Sequence, residues 1–452
     1  MASTVDRTRL EELMAREGRR FVEEHPRSGE LFEKAKRTLV AGVPMPWMSE
    51  WAGAFPVFVA EANGARFTDV DGRDYVDFCL GDTGSMTGHA PKAAVQAIAA
   101  QAAKGITFML PVEDAIWIGE EMRRRFGLPY WQFCLTASDA NRFTIRLARA
   151  VTGRSKILVF SYSYHGSVDE TIIVLRYGVP GSRPGNIGPA VDPVETTRVV
   201  EFNDVEALED ALSHEDVACV LAEPALTNIG IVLPEPGFHR KLRELTREHG
   251  TYLVIDETHT ICAGPGGATR AWRLEPDFVT IGKPVGSGVP AACYGMTEAA
   301  AQRVQAFMET LPTTGVGGVG GTLAGNALSL AAVRATLEHV LTDDAFEHMI
   351  ALGTRWTDGV KSAITAHDLP WNVQRLGARA EYWFCPTPPR SGGEAAAAAD
   401  KPLSRLAHLY ALNRGILLTP FHNMALMSPS TTAADVDAHT RVFGDMAAEL
   451  VG

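Results

Sequence analysis

Between about Lys92 and Asn326 the chain repeats one pattern, a short apolar run followed by a helical segment. The apolar runs read WQFCLT, KILVFSY, TRVVEF, ACVLAEP, TYLVIDE, DFVTIGK and AACYGM, and helical stretches such as Phe238–His249 lie between them. Such alternation predicts a mostly parallel α/β sheet. A chain of 452 residues exceeds what one compact core needs, so a second, smaller domain is expected beside the sheet. The flanks supply it. Asp6 to Leu39 reads as amphipathic helix, and Phe55–Phe78 alternates apolar and polar residues around the turn signals Asn63-Gly64 and Asp71-Gly72, which describes an antiparallel meander. After Asn326 come helices at Ala327–Leu341 and about Phe346–His367, short strands and a final helix. The biased stretch around Ser391–Asp400 reads as a surface loop feeding a helix. The expected division is residues 1–90 for the N-terminal helix and small-domain meander, 91–330 for the large domain, and 331–452 for the rest of the small domain.

Charge and cysteine usage exclude several classes of partner. There are 54 acidic against 42 basic residues, a net of −12, which argues against nucleic acid. The six cysteines are scattered, with no CxxC pair and no Cys/His cluster, so reduced thiols are expected and no metal site. The opening MASTVDRTRLEELMAREGRR lacks a signal peptide's apolar stretch, and no run approaches the roughly 18–20 apolar residues of a membrane span. The expectation is a cytoplasmic protein without membrane attachment.

Two strand ends carry the chemistry. Asp256 closes the apolar run TYLVIDE, and twenty-seven residues later DFVTIGK ends in Lys283. An acid at the carboxyl end of such a strand faces the crevice where α/β folds bind ligands. Each residue alone reads as a solvated strand end. Together they match pyridoxal phosphate, whose aldehyde needs a lysine amine and whose ring nitrogen needs a carboxylate to keep it protonated. LTASDANRFTIRLARAVTG supplies a strand end, a small-residue turn and a helix, whose first amides near Ala137 and Ser138 would cradle a phosphate. Tyr164, in YSYHG, is placed to stack on a flat ring. AEPALTNIG brings Glu223 to a further strand end. The run GVGGVGGTLAGNALSLAA follows no strand and lacks the P-loop lysine, but its Gly321-Thr322 precedes a helix and offers a second phosphate clamp.

In this order and over nearly the whole chain from Gly42, these segments resemble the class III aminotransferases. DGRDYVDF resembles the family's opening strand motif, Gly88-His89-Ala90-Pro91 its GH..P turn, TASDAN its phosphate loop, and Tyr164-His165-Gly166 its YHG. IDETHTICAG stands where the family has DEV..GF, IGKPVGSGVP carries the lysine, and GTLAGNALSLAA resembles GT..GNPLA..A. The resemblance implies an aspartate-aminotransferase-like fold (fold type I of the pyridoxal-phosphate transferases), with a mostly parallel seven-stranded sheet plus a small α+β domain. It implies Lys283 for the Schiff base and proton transfer, Asp256 for the pyridine nitrogen, and Ala137 and Ser138 for the phosphate. Tyr164 would stack on the ring, with Thr258 beneath it, and Thr322 would reach the phosphate of a neighbouring subunit in a homodimer.

Glutamate-1-semialdehyde aminomutases look most similar around EPALTNIGIVLPEPGF and PDFVTIGKPVGSGVPAACYGM, yet the pocket departs from theirs. Met48 stands where they carry a carboxylate-binding arginine, Asp82 replaces a pocket tryptophan, and Thr258 replaces the valine of DEV. By resemblance Asp82 and His259 lie near the cofactor, and Arg379 or Arg390 could take an acceptor carboxylate. These departures point to a transaminase moving an amino group from a primary amine or ω/β-amino acid to a keto acid such as pyruvate. The alternatives are an aminomutase of the glutamate-1-semialdehyde type and a non-catalytic pyridoxal-phosphate-binding protein.

Overall fold

The computed structural model describes residues 5–312 and 317–451. The opening tetrapeptide and Gly315-Val316 at the head of the glycine run lie outside them. The chain divides into two compact units. One comprises the residues up to Pro91, Glu347–Pro388 and those from Ala398 on; the other comprises Lys92–Phe346 with Pro389–Ala397.

The second unit is built on a seven-stranded sheet formed by all seven apolar runs. Its order is Tyr130–Cys134, Ala292–Met296, Phe278–Ile281, Tyr252–Asp256, Val217–Ala222, Lys156–Phe160, Thr197–Val200. Ala292–Met296 runs antiparallel to both neighbours, and every other pairing in the sheet is parallel. The central strands VACVLA and YLVID are buried at every position, the signature of strands covered on both faces. Helix Ala137–Thr152 lays Phe143, Ile145, Leu147 and Ala148 into the core with Ile157, Val159 and Tyr294. Because the strands other than Ala292–Met296 point one way, their carboxyl ends share one sheet edge, and the segments that follow them meet there.

The chain leaves this unit at Phe346 rather than near residue 330. Helix Ala327–His339 is apolar on most sides, with Leu330, Val333, Ala335 and Leu337 buried, so it stays with the large core. The stretch expected as a surface loop is instead a short helix, Gly392–Ala397, belonging to the same unit. Its glycine is required by packing, since a Cβ at Gly392 would sit 2.2 Å from the Ser161 carbonyl oxygen.

In the first unit the meander forms as Val59–Asn63, Arg66–Asp69 and Asp74–Asp77, antiparallel, joined by Ile416–Leu417 in parallel to the third strand. A second sheet pairs Asn372–Leu376, Arg379–Trp383 and Met424–Leu426. The single helix expected from Asp6 to Leu39 is two helices, Arg7–Glu24 and Pro26–Ala35. Proline disfavours helical geometry in the residue before it but suits a first helical position, so the chain breaks at His25. The break is filled: His25 is buried, with Nδ1 2.7 Å from the Phe21 carbonyl and Nε2 2.7 Å from the Tyr75 hydroxyl. Among the described residues no helix is long and apolar enough to cross a membrane.

Candidate active site

Five of the sequence-predicted residues, together with Glu223, come from the loops at the carboxyl ends of five strands and therefore from one edge of the large sheet. Ala137 and Ser138 follow Tyr130–Cys134, Tyr164 follows Lys156–Phe160, Glu223 follows Val217–Ala222, Asp256 closes its strand, and Lys283 lies two residues beyond Phe278–Ile281.

Asp256 sits at the centre of a closed network. It is 4% exposed and accepts hydrogen bonds from Asn141 Nδ2 at 2.8 Å, His165 Nδ1 at 2.9 Å and the Thr258 N–H at 3.1 Å. Asn141 is itself fixed, donating to the His165 carbonyl and accepting from Thr280 Oγ1 at 2.6 Å. Burial alone would raise the Asp256 carboxyl, but the His165 bond and charge, together with the Thr258 and Asn141 bonds, outweigh it and hold the pKa below the ordinary value. Its neighbour Glu257 moves the other way. Burial raises it, and it serves the loop by accepting the Ala268 and Thr269 amides.

Lys283 Nζ lies 2.7 Å from His259 Nε2. The backbone of Lys283 has φ +45°, a left-handed conformation that costs a side-chain-bearing residue on the order of 1–3 kcal/mol. It turns the chain sharply out of its strand into the short 3-10 helix Lys283–Gly286.

Helix Ala137–Thr152 begins with Thr136 as its cap, whose side chain accepts the Asp139 amide at 3.1 Å. The Ala137 and Ser138 amides are thus first-turn donors with no acceptor within the helix. Two glycines bring other loops against this turn. A Cβ on Gly282 would lie 3.0 Å from the Ala137 nitrogen, and one on Gly166, at φ +82°, would lie 1.9 Å from Ser138 Oγ. Ser138 Oγ also accepts the Ser167 amide at 3.1 Å. Half-buried Tyr164 donates its amide to Glu223 at 3.2 Å.

The other predicted residues are placed as follows. Thr258 and His259 are buried directly after Asp256. Thr322 is exposed on the loop before helix Ala327–His339. Met48 and Asp82 belong to the other unit, Met48 43% exposed in the 3-10 helix Pro46–Ser49 and Asp82 in a turn at φ +49°. Neither arginine suggested for an acceptor is a mobile hand. Arg379 is fully buried in its strand in that unit, and Arg390 is exposed and paired with Glu235. Sequence reasoning passed over Asn141 and His165, although both stand inside quoted motifs. Asn141 lies within helix Ala137–Thr152 and His165 in the loop after Lys156–Phe160, and only their meeting at Asp256 shows their part.

The residues fit a phosphorylated pyridine aldehyde. A helix N-terminus is left open for a dianion, a buried carboxylate is held charged, and a lysine amine reaches the same sheet edge. His165 Nε2 is a buried nitrogen with no hydrogen-bond partner, beside the carboxylate that would meet the ring.

The class-III aminotransferase family model matches residues 47–442. The structure is similar to a glutamate-1-semialdehyde aminomutase from Pseudomonas aeruginosa PAO1, with TM-score 0.96 and 50% identity over 99% of each chain. A variant of that aminomutase has been solved in complex with PMP. The sequence is 33% identical over 424 residues to glutamate-1-semialdehyde 2,1-aminomutase of Desulfitobacterium hafniense (strain Y51), covering 91% of this chain and 95% of that protein. An omega-transaminase from Sphaerobacter thermophilus is also similar, with TM-score 0.85 and 26% identity over 94% of this chain and 98% of that one. The protein is a pyridoxal 5′-phosphate-dependent enzyme of fold type I. By the family match along most of its length, this chain belongs to the class-III aminotransferases.

Proposed function

We propose that this enzyme is an aminomutase of the glutamate-1-semialdehyde type, exchanging an amino group between neighbouring carbons of one substrate. The observation that carries this reading is the likeness to aminomutases at 33–50% identity along more than nine-tenths of the chain. It reverses the order in which the sequence placed the two activities, transaminase first. That order rested on single departures such as Met48, and the likeness extends over the whole fold.

Pyridoxal phosphate, when bound, supplies an aldehyde that takes up amines and a pyridinium ring that draws off electrons from the carbon losing a proton. Lys283 anchors it through Nζ and afterwards holds or moves a proton at that same atom. His259 Nε2, 2.7 Å away, is positioned to accept that proton and return it. Asp256 presents a retained negative charge to the ring nitrogen, and His165 and Asn141 keep it aimed. Ala137 and Ser138 would hold the phosphate with their amides, and Tyr164 and Thr258 would pack against the ring.

The enzyme works as a homodimer on this reading. Within the larger unit Phe108, Met109 and Leu110 form a continuous exposed apolar segment, the last two 73% exposed, and Leu323 beside Thr322 is 52% exposed. Surface of this kind marks an interface. Thr322 would then reach the phosphate site of the second subunit. Fully active monomers in light scattering under assay conditions would contradict the dimer.

Turnover of glutamate-1-semialdehyde with no keto acid present tests the activity. Isomerisation under that condition supports the aminomutase. Dependence on an added keto acid favours the second reading, a transaminase acting on amines, to which Met48 and Asp82 point.

A further inference from the structure

An aminomutase of this type and a keto-acid transaminase both take substrates with a carboxylate, and Met48 cannot bind one. A guanidinium built into the larger unit can. Strands Ile173–Arg176 and Val179–Ser182 form a hairpin, and Arg183 follows at once, its amide donating to the Ile172 carbonyl at 3.0 Å. The side chain is half-buried against the segment that carries Tyr164 and His165. Its Nη1 donates to the Ser163 carbonyl at 3.4 Å, and the group lies 5.6 Å from the Tyr162 ring centre. Asn228 stands at the tip of a tight loop closed by the paired backbones of Leu226 and Val232. With its amide oxygen facing the guanidinium, it accepts from Nη1 at 3.0 Å and Nη2 at 2.7 Å.

Two features of this arrangement are unusual for an arginine that only holds a loop. First, among the described residues no carboxylate lies within ion-pairing distance of Arg183. After Tyr162 and Tyr164, Glu223 is the one carboxylate whose charge acts on it, and burial biases Glu223 toward its neutral form. A cation withdrawn from water without a counterion is costly, and an anion arriving there is favoured accordingly. Second, among the described residues the recorded contacts leave one edge of the group without an acceptor. Asn228 and Ser163 take both Nη1 hydrogens and the inner Nη2 hydrogen. The Nε–H and the outer Nη2–H remain, and these two point the same way. That edge is the one that takes a carboxylate in two parallel hydrogen bonds.

We propose that Arg183, seated on Asn228 and the Ser163 carbonyl, is the carboxylate anchor of this enzyme, its Nε–Nη2 edge binding both oxygens of an amino- or semialdehyde-acid substrate. The inference rests on the reading that the substrate carries a carboxylate. It assigns the task to a different element from the segment around Met48, where the aminomutases carry their arginine.

Calorimetric titration of the holoenzyme with pentanoate and with its neutral counterpart pentanamide tests this without any turnover. Arg183→Gln is expected to weaken pentanoate by at least about tenfold and to leave pentanamide unchanged, since only the paired charge is lost. Arg183→Lys keeps the charge without the fork and should fall between Gln and wild type. Asn228→Asp supplies an internal carboxylate to the same guanidinium and should abolish pentanoate binding; it decides the matter should Arg183→Gln fail to fold. Pentanoate binding unchanged in Asn228→Asp or Arg183→Gln, equal weakening of both ligands, or no pentanoate binding by the wild type would each overturn the proposal. Failed isomerisation of glutamate-1-semialdehyde alongside an Arg183-dependent pentanoate site would reject the activity and leave the anchor standing.

Discussion

Adjacent strands Val217–Ala222 and Tyr252–Asp256 each deliver a buried carboxylate to the same sheet edge, Glu223 and Asp256, and their pKa values are shifted in opposite directions. Both are desolvated by burial, which raises each. Asp256 receives an imidazole N–H, a side-chain amide and a backbone amide, and its pKa falls below the ordinary value. Glu223 receives a threonine hydroxyl and one backbone amide, and its pKa stays raised. Burial therefore does not decide which way the pKa of an acid at a strand end moves; the donors around it do. Asp256, with its lowered pKa, can serve a pyridinium, and Glu223 secures the loop that carries Tyr164.

The largest effect should come from the residue that neither acid can replace. Lys283→Ala should lower turnover by on the order of a thousandfold or more, because on the proposed reading Nζ is both the attachment point and the proton carrier. Steady-state assay of the cofactor-reconstituted variant measures it. Asp256→Asn should cost about a hundredfold or more while phosphate-mediated cofactor binding largely survives, since the charge that supports the ring nitrogen is gone and the helix N-terminus is not. Near-normal rates in Asp256→Asn would end the contrast with Glu223.

A finer test is the pH dependence of stability. Asp256, lowered from 3.8, contributes stability that is present above that value and lost as pH falls through its folded pKa. Glu223 is raised from 4.5, so the folded state binds more protons than the unfolded one above that value, and stability drains away as pH rises through that window. Asp256→Asn should therefore lower Tm at pH 7 more than at pH 3. Glu223→Gln should raise Tm at pH 7 relative to pH 4. Equal shifts at both pH values would show that neither charge state is as described. The smallest effect is on rate: Glu223→Gln should change kcat by less than about threefold, under the worth of one neutral hydrogen bond.

Much of this was legible in the sequence because the central strands are fully buried and the proposed catalytic groups stand at strand ends. Continuous runs such as VACVLA and YLVID can only be interior strands, and Asp256 and Lys283 are then polar residues at their ends. What escaped depends on partners far apart in the chain. His165 acquires its meaning from Asp256, 91 residues on, and Arg183 from Asn228 across two separate loops. Neither pairing leaves a periodicity or a spacing to read. The helix expected from Asp6 to Leu39 failed for a local reason, because the proline at position 26 breaks it and His25 finds a buried place in the gap. The transaminase was placed first because three pocket departures, at Met48, Asp82 and Thr258, were weighed above the rest of the chain, whose likeness favours the aminomutase.

The central claim is that one lysine, delivered by the strand beside Asp256, holds the cofactor. Borohydride reduction of the holoenzyme, followed by proteolysis and mass mapping of the phosphopyridoxyl peptide, tests it directly. The account predicts a single modified residue, Lys283, and no labelling in Lys283→Ala. A reduced adduct on any other lysine of the native protein would contradict it.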